Sequence, residues 1–171
     1  MGAVKRSITA AAAVHAPAPL VVAVLSADPA VAFAPALMSG ARRGPALVAT
    51  LTMELPAGGA ATQQVELRVG PPEPVAEGAT SFSLTWHALG RERLFPTFDG
   101  RLLVVESDAA GGDTELRLEG EYRPPLRALG AFADGLVGHR LARASLTAFL
   151  RDAARRVDAE VARRPPNFTV L

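Results

Sequence analysis

The 171-residue chain contains no cysteine, and histidine is scarce. The absence of cysteine excludes disulfide bonds, thiolate metal sites and a cysteine nucleophile. The three histidines, at positions 15, 87 and 139, lie too far apart in the sequence to form a local metal-binding motif. We therefore expect no metal site.

Long apolar runs and cofactor loops are also missing. No stretch approaches the ~20 apolar residues of a membrane-spanning helix. The apolar N-terminal region is broken by His15, Pro17, Pro19 and Asp28, which argues against a secretory signal. The sequence has no Gly-x-Ser-x-Gly elbow and no glycine-rich phosphate loop. We therefore expect a cytoplasmic protein with no dissociable cofactor and no integral membrane segment.

The chain also lacks a strong net charge. Eighteen basic and seventeen acidic residues leave a formal charge of +1, so no overall field attracts nucleic acid. Hydrophobic residues make up 49% and charged residues 20% of the chain, which is typical of a globular protein. The length predicts a single domain. We expect this domain over residues 1–164 and a C-terminal tail at 165–171.

The middle of the chain alternates apolar and polar residues, the pattern of an antiparallel sheet with one solvated face. The alternation is clearest where Phe82, Leu84 and Trp86 are separated by polar residues. The predicted strands are Ser7–Val14, Ala46–Leu55, Thr62–Val69, Thr80–Leu89, Arg101–Ser107 and Asp113–Tyr122, with a short edge or bulged segment at Arg93–Phe98.

Helical patterns lie on both sides of these strands. A short helix is predicted over Leu20–Leu25 because Pro17 and Pro19 suit a first helical turn, and a second over Asp28–Leu37, followed by a loop at 39–44. A long amphipathic helix is predicted over Arg140–Arg164, where apolar residues recur at steps of three and four. Its apolar face carries Leu146, Phe149, Leu150, Ala153, Val157 and Val161.

The order of these elements predicts an α+β fold. A curved antiparallel sheet must cover its apolar concave face, and the long C-terminal helix is the only element long enough to do so. The expected architecture is a helix-grip fold: a sheet wrapped around the C-terminal α-helix, with two short helices after the first strand. A cavity can persist between the sheet and a straight helix.

Two segments of the sequence resemble the START/SRPBCC superfamily (Bet v 1-like, helix-grip), and its bacterial polyketide-cyclase-like members in particular. The first is Val14–Pro19 with the later Val22, Val24, Leu25, Asp28 and Pro29. The second is Leu118–Pro125 with the later Gly130, Asp134 and Gly138–Arg140. Many relatives carry an aromatic residue in the first helix and in the loop after it, where this chain has Val22 and Phe33.

The resemblance and the strand alternation together imply a site between the sheet and the helix. The expected function is binding of a hydrophobic small molecule, such as a lipid or a polyketide-like compound. The expected ligand-binding residues are Trp86, Phe98, Tyr122, Leu146, Phe149 and Leu150, with Tyr122 orienting one polar group. His87, next to Trp86 on the strand, is expected to face solvent.

Two other interpretations of the function remain. A polyketide cyclase or aromatase-type enzyme would use the same cavity, so the sequence does not decide whether the protein is an enzyme. Glu106 would supply an acid if it faced inward with Leu102 and Val104, and burial would then raise its pKa. His139 is a weaker candidate for a general base. The other reading is an accessory protein that contacts a partner through its sheet.

Overall fold

The computed structural model describes residues 6–33, 42–43, 46–54, 60–75, 78–89, 97–107, 112–123 and 135–164. The order of elements agrees with the prediction: a strand, two short helices, a run of strands and a long helix. They are β1 (Arg6–Val14), α1 (Ala18–Ala27), α2 (Ala30–Phe33), β2 (Arg42–Arg43), β3 (Ala46–Glu54), β4 (Ala60–Pro74), β5 (Thr80–Ala88), β6 (Thr97–Glu106), β7 (Thr114–Arg123) and α3 (Gly135–Arg163).

The described strands form one antiparallel sheet in the order β1-β7-β6-β5-β4-β3-β2. The long helix α3 packs against β1 and also against β3. Because four strands separate β1 from β3 in the sheet, one helix can contact both only if the sheet curves around it. The α+β helix-grip fold predicted from the sequence is therefore confirmed.

Strand β1 shows why the helix can approach the sheet closely. Its inward positions are buried and mostly small, and they are Ile8, Ala10, Ala12 and Val14. Opposite them, α3 buries Leu150, Ala153, Ala154 and Val157. Small residues on both sides let the two backbones come together, which explains why an alanine-rich strand packs against the helix.

The corner between β1 and α1 is held by two side chains from elsewhere in the chain. The backbone N–H of His15 donates to Asp158 Oδ1 of α3 at 2.8 Å. The buried hydroxyl of Thr114 donates to the carbonyl of Ala16 at 2.5 Å. These contacts tie the first strand to the last strand and to the last helix.

Strand β4 is longer than predicted, because the sequence suggested a turn from Gly70 to Gly78. The strand instead runs to Pro74, and its register with β5 shifts between Val69 and Pro72. Residues 71–74 are exposed, as expected for prolines placed beyond a bulge. The turn is therefore shorter, and its end is closed by the Val75 N–H, which donates to the Ala79 carbonyl at 3.0 Å.

Other boundaries also differ from the sequence prediction. Arg42 and Arg43, expected in a loop, pair with β3 as β2. Strand β6 begins at Thr97 and continues through Gly100, whereas the sequence suggested two separate pieces. Helix α3 begins at Gly135, five residues before the predicted start. The sequence prediction missed this first part because glycine is a poor helix former.

The first helices follow the prediction more closely. Pro17 precedes α1 in an extended conformation, and Asp28 ends it. The Asp28 carboxylate then accepts the Ala30 N–H at 3.1 Å, at the start of α2. The predicted second helix extended to Leu37, but residues 34–37 lie outside the described residues. Of the described helices, none is both long enough and apolar enough to cross a membrane.

Candidate functional site

A row of large side chains crosses the inner face of the sheet. Leu67 of β4 is the register partner of Trp86, Trp86 that of Phe98, and Phe98 that of Tyr122. Trp86, Phe98 and Tyr122 are only 3%, 2% and 4% exposed. Three of the predicted site residues therefore lie side by side on adjacent strands, in what we call the aromatic row (Trp86, Phe98 and Tyr122).

The centre of the aromatic row is closely packed. The ring centroids of Trp86 and Phe98 are 4.3 Å apart, with 15° between the ring planes. The Phe98 ring also covers a pair of glycines, Gly100 and Gly120, which face each other across β6 and β7. A Cβ atom at either glycine would lie 2.7 Å from Phe98 Cζ. The glycines therefore provide the space in which the Phe98 ring lies.

Helix α3 faces the aromatic row with Phe149. Its ring centroid is 5.8 Å from that of Trp86, with the planes tilted by 55°. On its other side Phe149 stacks on Phe33 of α2, at 5.7 Å and 17°. Leu146 and Leu150 are buried in the same hydrophobic core cluster. The structure thus brings all six predicted binding residues to one sheet–helix interface, and their contact with a ligand remains a prediction.

Two polar atoms inside this interface have no partner. Trp86 Nε1 is buried and makes no hydrogen bond, and the same is true of Ser145 Oγ on α3. Ser145 precedes Phe149 by one helical turn, so the two side chains lie on the same side of the helix. Both unpaired atoms therefore belong to residues that neighbour Phe149. Buried polar groups without a partner are uncommon in folded proteins.

Tyr122 lies beside a histidine from the first turns of α3. The ring centroids of Tyr122 and His139 are 6.2 Å apart, with 33° between the planes. Tyr122 is buried, whereas His139 is partly exposed. The pair places a phenol and an imidazole at one end of the aromatic row.

The other titratable candidates lie away from the inner face. His87 is exposed on the outer face as predicted, with Nε2 3.9 Å from Glu66 Oε2. Glu106 is exposed at the end of β6, although Leu102 and Val104 are buried. The strand ends at that position, so the inward alternation does not place Glu106 in an apolar pocket. His15 lies 3.4 Å from Asp113 at an exposed corner.

The outer face of the sheet is polar. Two recesses lined by described residues open on it, with volumes of about 260 Å³ and 490 Å³. Their walls include the ion pair of Arg101 with Glu119, at 3.1 Å, and threonine and serine side chains. The expected cavity is on the opposite side of the sheet and remains a prediction.

Two acidic residues of α3 each pair with two arginines. Asp152 is 3.0 Å from Arg155 and 2.6 Å from Arg156. Glu160 is 2.9 Å from Arg163 and 3.5 Å from Arg164. Each arginine pair of the helix therefore shares one acidic side chain on a solvated face, and interleaving of this kind is what the sequence predicts. Within the part of the chain that the structure describes, no three histidine or acidic side chains are grouped as metal ligands would be.

Four residues that contribute to the site were not predicted from the sequence. Ser145 was overlooked because a lone serine on a helix carries no distinctive signal. Gly100 and Gly120 occupy inward positions of their strands, and this alternation could have identified them as space for a large ring. Phe33 was noted only as a departure from the aromatic pattern of the resembled family, yet it stacks on Phe149.

No protein-family model matches the sequence, and no curated protein matches it either. Solved structures do match. Protein TTHA0849 from Thermus thermophilus has a TM-score of 0.52 at 16% identity, over 91% of this chain and 99% of that chain. The Zhui aromatase/cyclase from Streptomyces sp. R1128 has a TM-score of 0.48 at 19% identity, over 98% and 100% of the two chains.

A START superfamily protein from Mycobacterium smegmatis also matches, with a TM-score of 0.48 at 15% identity, over 91% of this chain and 97% of that chain. At these identities the likeness concerns the fold alone. The helix-grip fold expected from the sequence is the fold that the structure shows.

Proposed function

We propose that the protein binds an apolar small molecule, lipid-like or polyketide-like, between the inner face of its sheet and α3. The observation that carries the proposal is the aromatic row, which faces Phe149 across an apolar interface that leaves buried polar atoms unpaired. A self-sufficient core would pair those atoms or exclude them. An interface that accommodates a ligand leaves them for the ligand to satisfy.

The chemistry of the interface selects the class of ligand. Among the described residues, the buried polar or charged ones are only Ser81 and Thr114, and all other buried residues are apolar or aromatic. A ligand would therefore gain most of its affinity from burial of apolar surface, at ~25 cal/mol per Å². Binding of this kind has a negative heat-capacity change.

The polar outer face of the sheet provides a control for the proposed site on the inner face. Its two recesses are lined by charged and hydroxyl side chains, including the Arg101–Glu119 ion pair. An apolar ligand there would displace water from these groups without replacing their hydrogen bonds. Binding should therefore respond to inner-face substitutions and not to outer-face ones.

The first test is native mass spectrometry of the protein purified from its own host, which would show a co-purifying small molecule. The second is a titration with a panel of lipids and polyketides, followed by the emission of Trp86, the only tryptophan. The inner-face variant Phe149→Leu should weaken binding. The matched outer-face variant His87→Ala, whose side chain neighbours Trp86 in sequence but is exposed, should bind as the wild type does.

Equal weakening by both variants would argue against a site at the inner face. If no apolar compound binds and none co-purifies, the binding proposal fails, and the accessory-protein reading, in which the sheet contacts a partner, replaces it.

The second candidate is an enzyme of the polyketide cyclase or aromatase type, and the pairing of Tyr122 with His139 favours it. Such a reaction needs a proton to be moved at a carbon next to a carbonyl group. A histidine and a phenol at the end of an apolar interface can give and take that proton. Tyr122 would then act on the ligand rather than only orient it.

A turnover assay on a poly-β-ketone thioester separates the two candidates. The cyclase reading predicts cyclised product with the wild type, and a loss of about 10²–10⁴-fold in the rate with His139→Ala. The carrier reading predicts binding without product and no effect of His139→Ala on affinity. Arg140→Ala, an exposed change at the next residue, is the matched control.

A further inference from the structure

Trp86 holds a hydrogen-bond donor inside the protein with no acceptor for it. The residue is 3% exposed, and its Nε1 has no partner. An indole N–H can only donate, so the missing group must be an acceptor. Nearly all buried donors in native proteins are paired, and an exception calls for an explanation such as a water or a ligand.

The direction of this N–H is restrained by neighbouring rings. Phe98 stacks on Trp86 with centroids 4.3 Å apart, and Phe149 lies 5.8 Å away at a tilt of 55°. Phe98 is itself fixed over the glycine pair Gly100 and Gly120. The indole therefore cannot turn its N–H toward another acceptor without losing these contacts.

A second unpaired polar atom lies on the helix, one turn before the phenylalanine that contacts Trp86. A serine inside a helix often donates to the carbonyl four residues earlier, but Ser145 Oγ is buried and makes no hydrogen bond. Ser145 is one turn before Phe149, which contacts Trp86. The two unpaired atoms thus approach the same apolar interface from the helix and from the sheet.

The surroundings restrict which acceptor can be placed there. Among the described residues no basic side chain is buried, so a carboxylate at this depth would lack a counter-charge and would be costly to desolvate. A donor-only group, such as an ammonium, would face the indole N–H without an acceptor. A neutral carbonyl oxygen has two lone pairs, carries no donor and needs no counter-charge.

We propose that the ligand of this interface carries a carbonyl oxygen that accepts the hydrogen bond of Trp86 Nε1. This inference rests on the proposed binding function and adds to it the functional group that the site recognises. A saturated or purely hydrocarbon ligand of the same shape binds more weakly, because it leaves the Trp86 N–H unpaired.

The test compares 2-acetylnaphthalene with 2-isopropenylnaphthalene, which have nearly the same shape and differ in C=O against C=CH₂. Calorimetric titration should show the ketone binding about five-fold more tightly, which corresponds to about 1 kcal/mol for one neutral hydrogen bond. The chain has one tryptophan, so a ¹⁵N-labelled sample gives a single indole N–H signal. That signal should move downfield with the ketone and not with the alkene.

Two variants separate the hydrogen bond from packing. Trp86→Phe keeps an aromatic ring but removes the N–H, so the preference for the ketone should disappear while both probes still bind. Phe149→Leu keeps the N–H and removes a ring contact, so both probes should weaken and the preference should persist. If Trp86→Phe does not fold, the indole signal of the wild type decides the question.

The outcomes distinguish this inference from the function on which it rests. Equal affinity for the two probes, with no selective indole shift, would overturn the carbonyl assignment and leave the binding function standing. An indole shift of the same size with both probes would also overturn the carbonyl assignment. It would indicate that a retained water, and not the ligand, accepts the hydrogen bond. Failure of both probes to bind, when the lipid and polyketide panel also gives no ligand and none co-purifies, would overturn both proposals.

Discussion

The ring of Trp86 lies nearly parallel to that of Phe98, with centroids 4.3 Å apart, and the two residues are register partners on β5 and β6. Stacked aromatic pairs contribute about 0.5–1.5 kcal/mol beyond the burial of their surface. A double-mutant cycle of Trp86→Leu with Phe98→Leu, in which each substitution removes one of the two stacked rings, should therefore give a coupling energy in that range when measured by urea denaturation.

The control for this cycle pairs Trp86→Leu with Val14→Ala. Val14 is the partner of Thr114, whereas the aromatic row is at the Arg6 end of β1, about 26 Å away at ~3.3 Å per strand residue. The two effects should add to within about 0.5 kcal/mol. A comparable coupling energy in both cycles would mean that the Trp86–Phe98 value does not report on stacking.

Replacement of Gly120 by alanine should be destabilising. Its Cβ would lie 2.7 Å from Phe98 Cζ, 2.7 Å from Gly100 Cα and 2.5 Å from the Asp99 carbonyl oxygen. Overpacking of this kind costs about 1–3 kcal/mol or more in the free energy of unfolding. Adding Phe98→Leu should recover part of that loss and not all of it, since two of the three close atoms belong to the backbone.

Gly78→Ala is the comparison for that prediction. Gly78 has a φ of +75°, and nothing lies within 4 Å of the position that an alanine methyl group would take, so its substitution tests backbone strain without a clash. Phe98→Leu should give no recovery there. Recovery of both variants to the same degree would show that Phe98 is not in contact with Gly120.

Truncation of Leu150 tests whether α3 is held by the core. The side chain is completely buried in the cluster that joins the helix to the sheet. Leu150→Ala should lower the free energy of unfolding by about 2–5 kcal/mol. Arg151→Ala, at the exposed next position, should change it by no more than about 0.5 kcal/mol. A small effect of Leu150→Ala on the free energy of unfolding would mean that this side chain does not hold α3 against the sheet.

Thr114→Val should remove one buried hydrogen bond at nearly constant shape. The hydroxyl donates to the Ala16 carbonyl, and its loss leaves that carbonyl unpaired in a buried position. The expected cost is about 1–3 kcal/mol in unfolding free energy. Thr9→Val, at an exposed position of β1, should be nearly neutral. Equal effects would point to a general response of strands to valine rather than to the hydrogen bond.

The alternation of residues was enough to predict which side chains share the inner face. Trp86 and Tyr122 were placed there from the pattern of their own strands, and both are buried in the structure. The direct pairing of Trp86 with Phe98 was not predictable in the same way. It depends on the register between β5 and β6, which alternation within one strand does not specify.

Where the prediction was wrong, glycine and proline were read as ends of strands. Gly100 lies within β6 because its partner Gly120 also lacks a side chain, and such a pairing is not visible from one strand alone. Pro72 and Pro74 lie within β4 because a bulge shifts the register before them. The unpaired atoms of Trp86 and Ser145 could be found only in the structure, since any tryptophan or serine could have found a partner.

The pairing of β1 with β7 has a consequence for how the protein is made. Thr114 and Ala16, which the buried hydrogen bond joins, are 98 residues apart in the chain. Translation adds about 5–20 residues per second, so about 5–20 s pass between the synthesis of β1 and the synthesis of its partner strand. During that time its alanine-rich segment has neither β7 nor α3 to cover it. Completion of the sheet is therefore a late, non-local step, of the kind that makes folding slow.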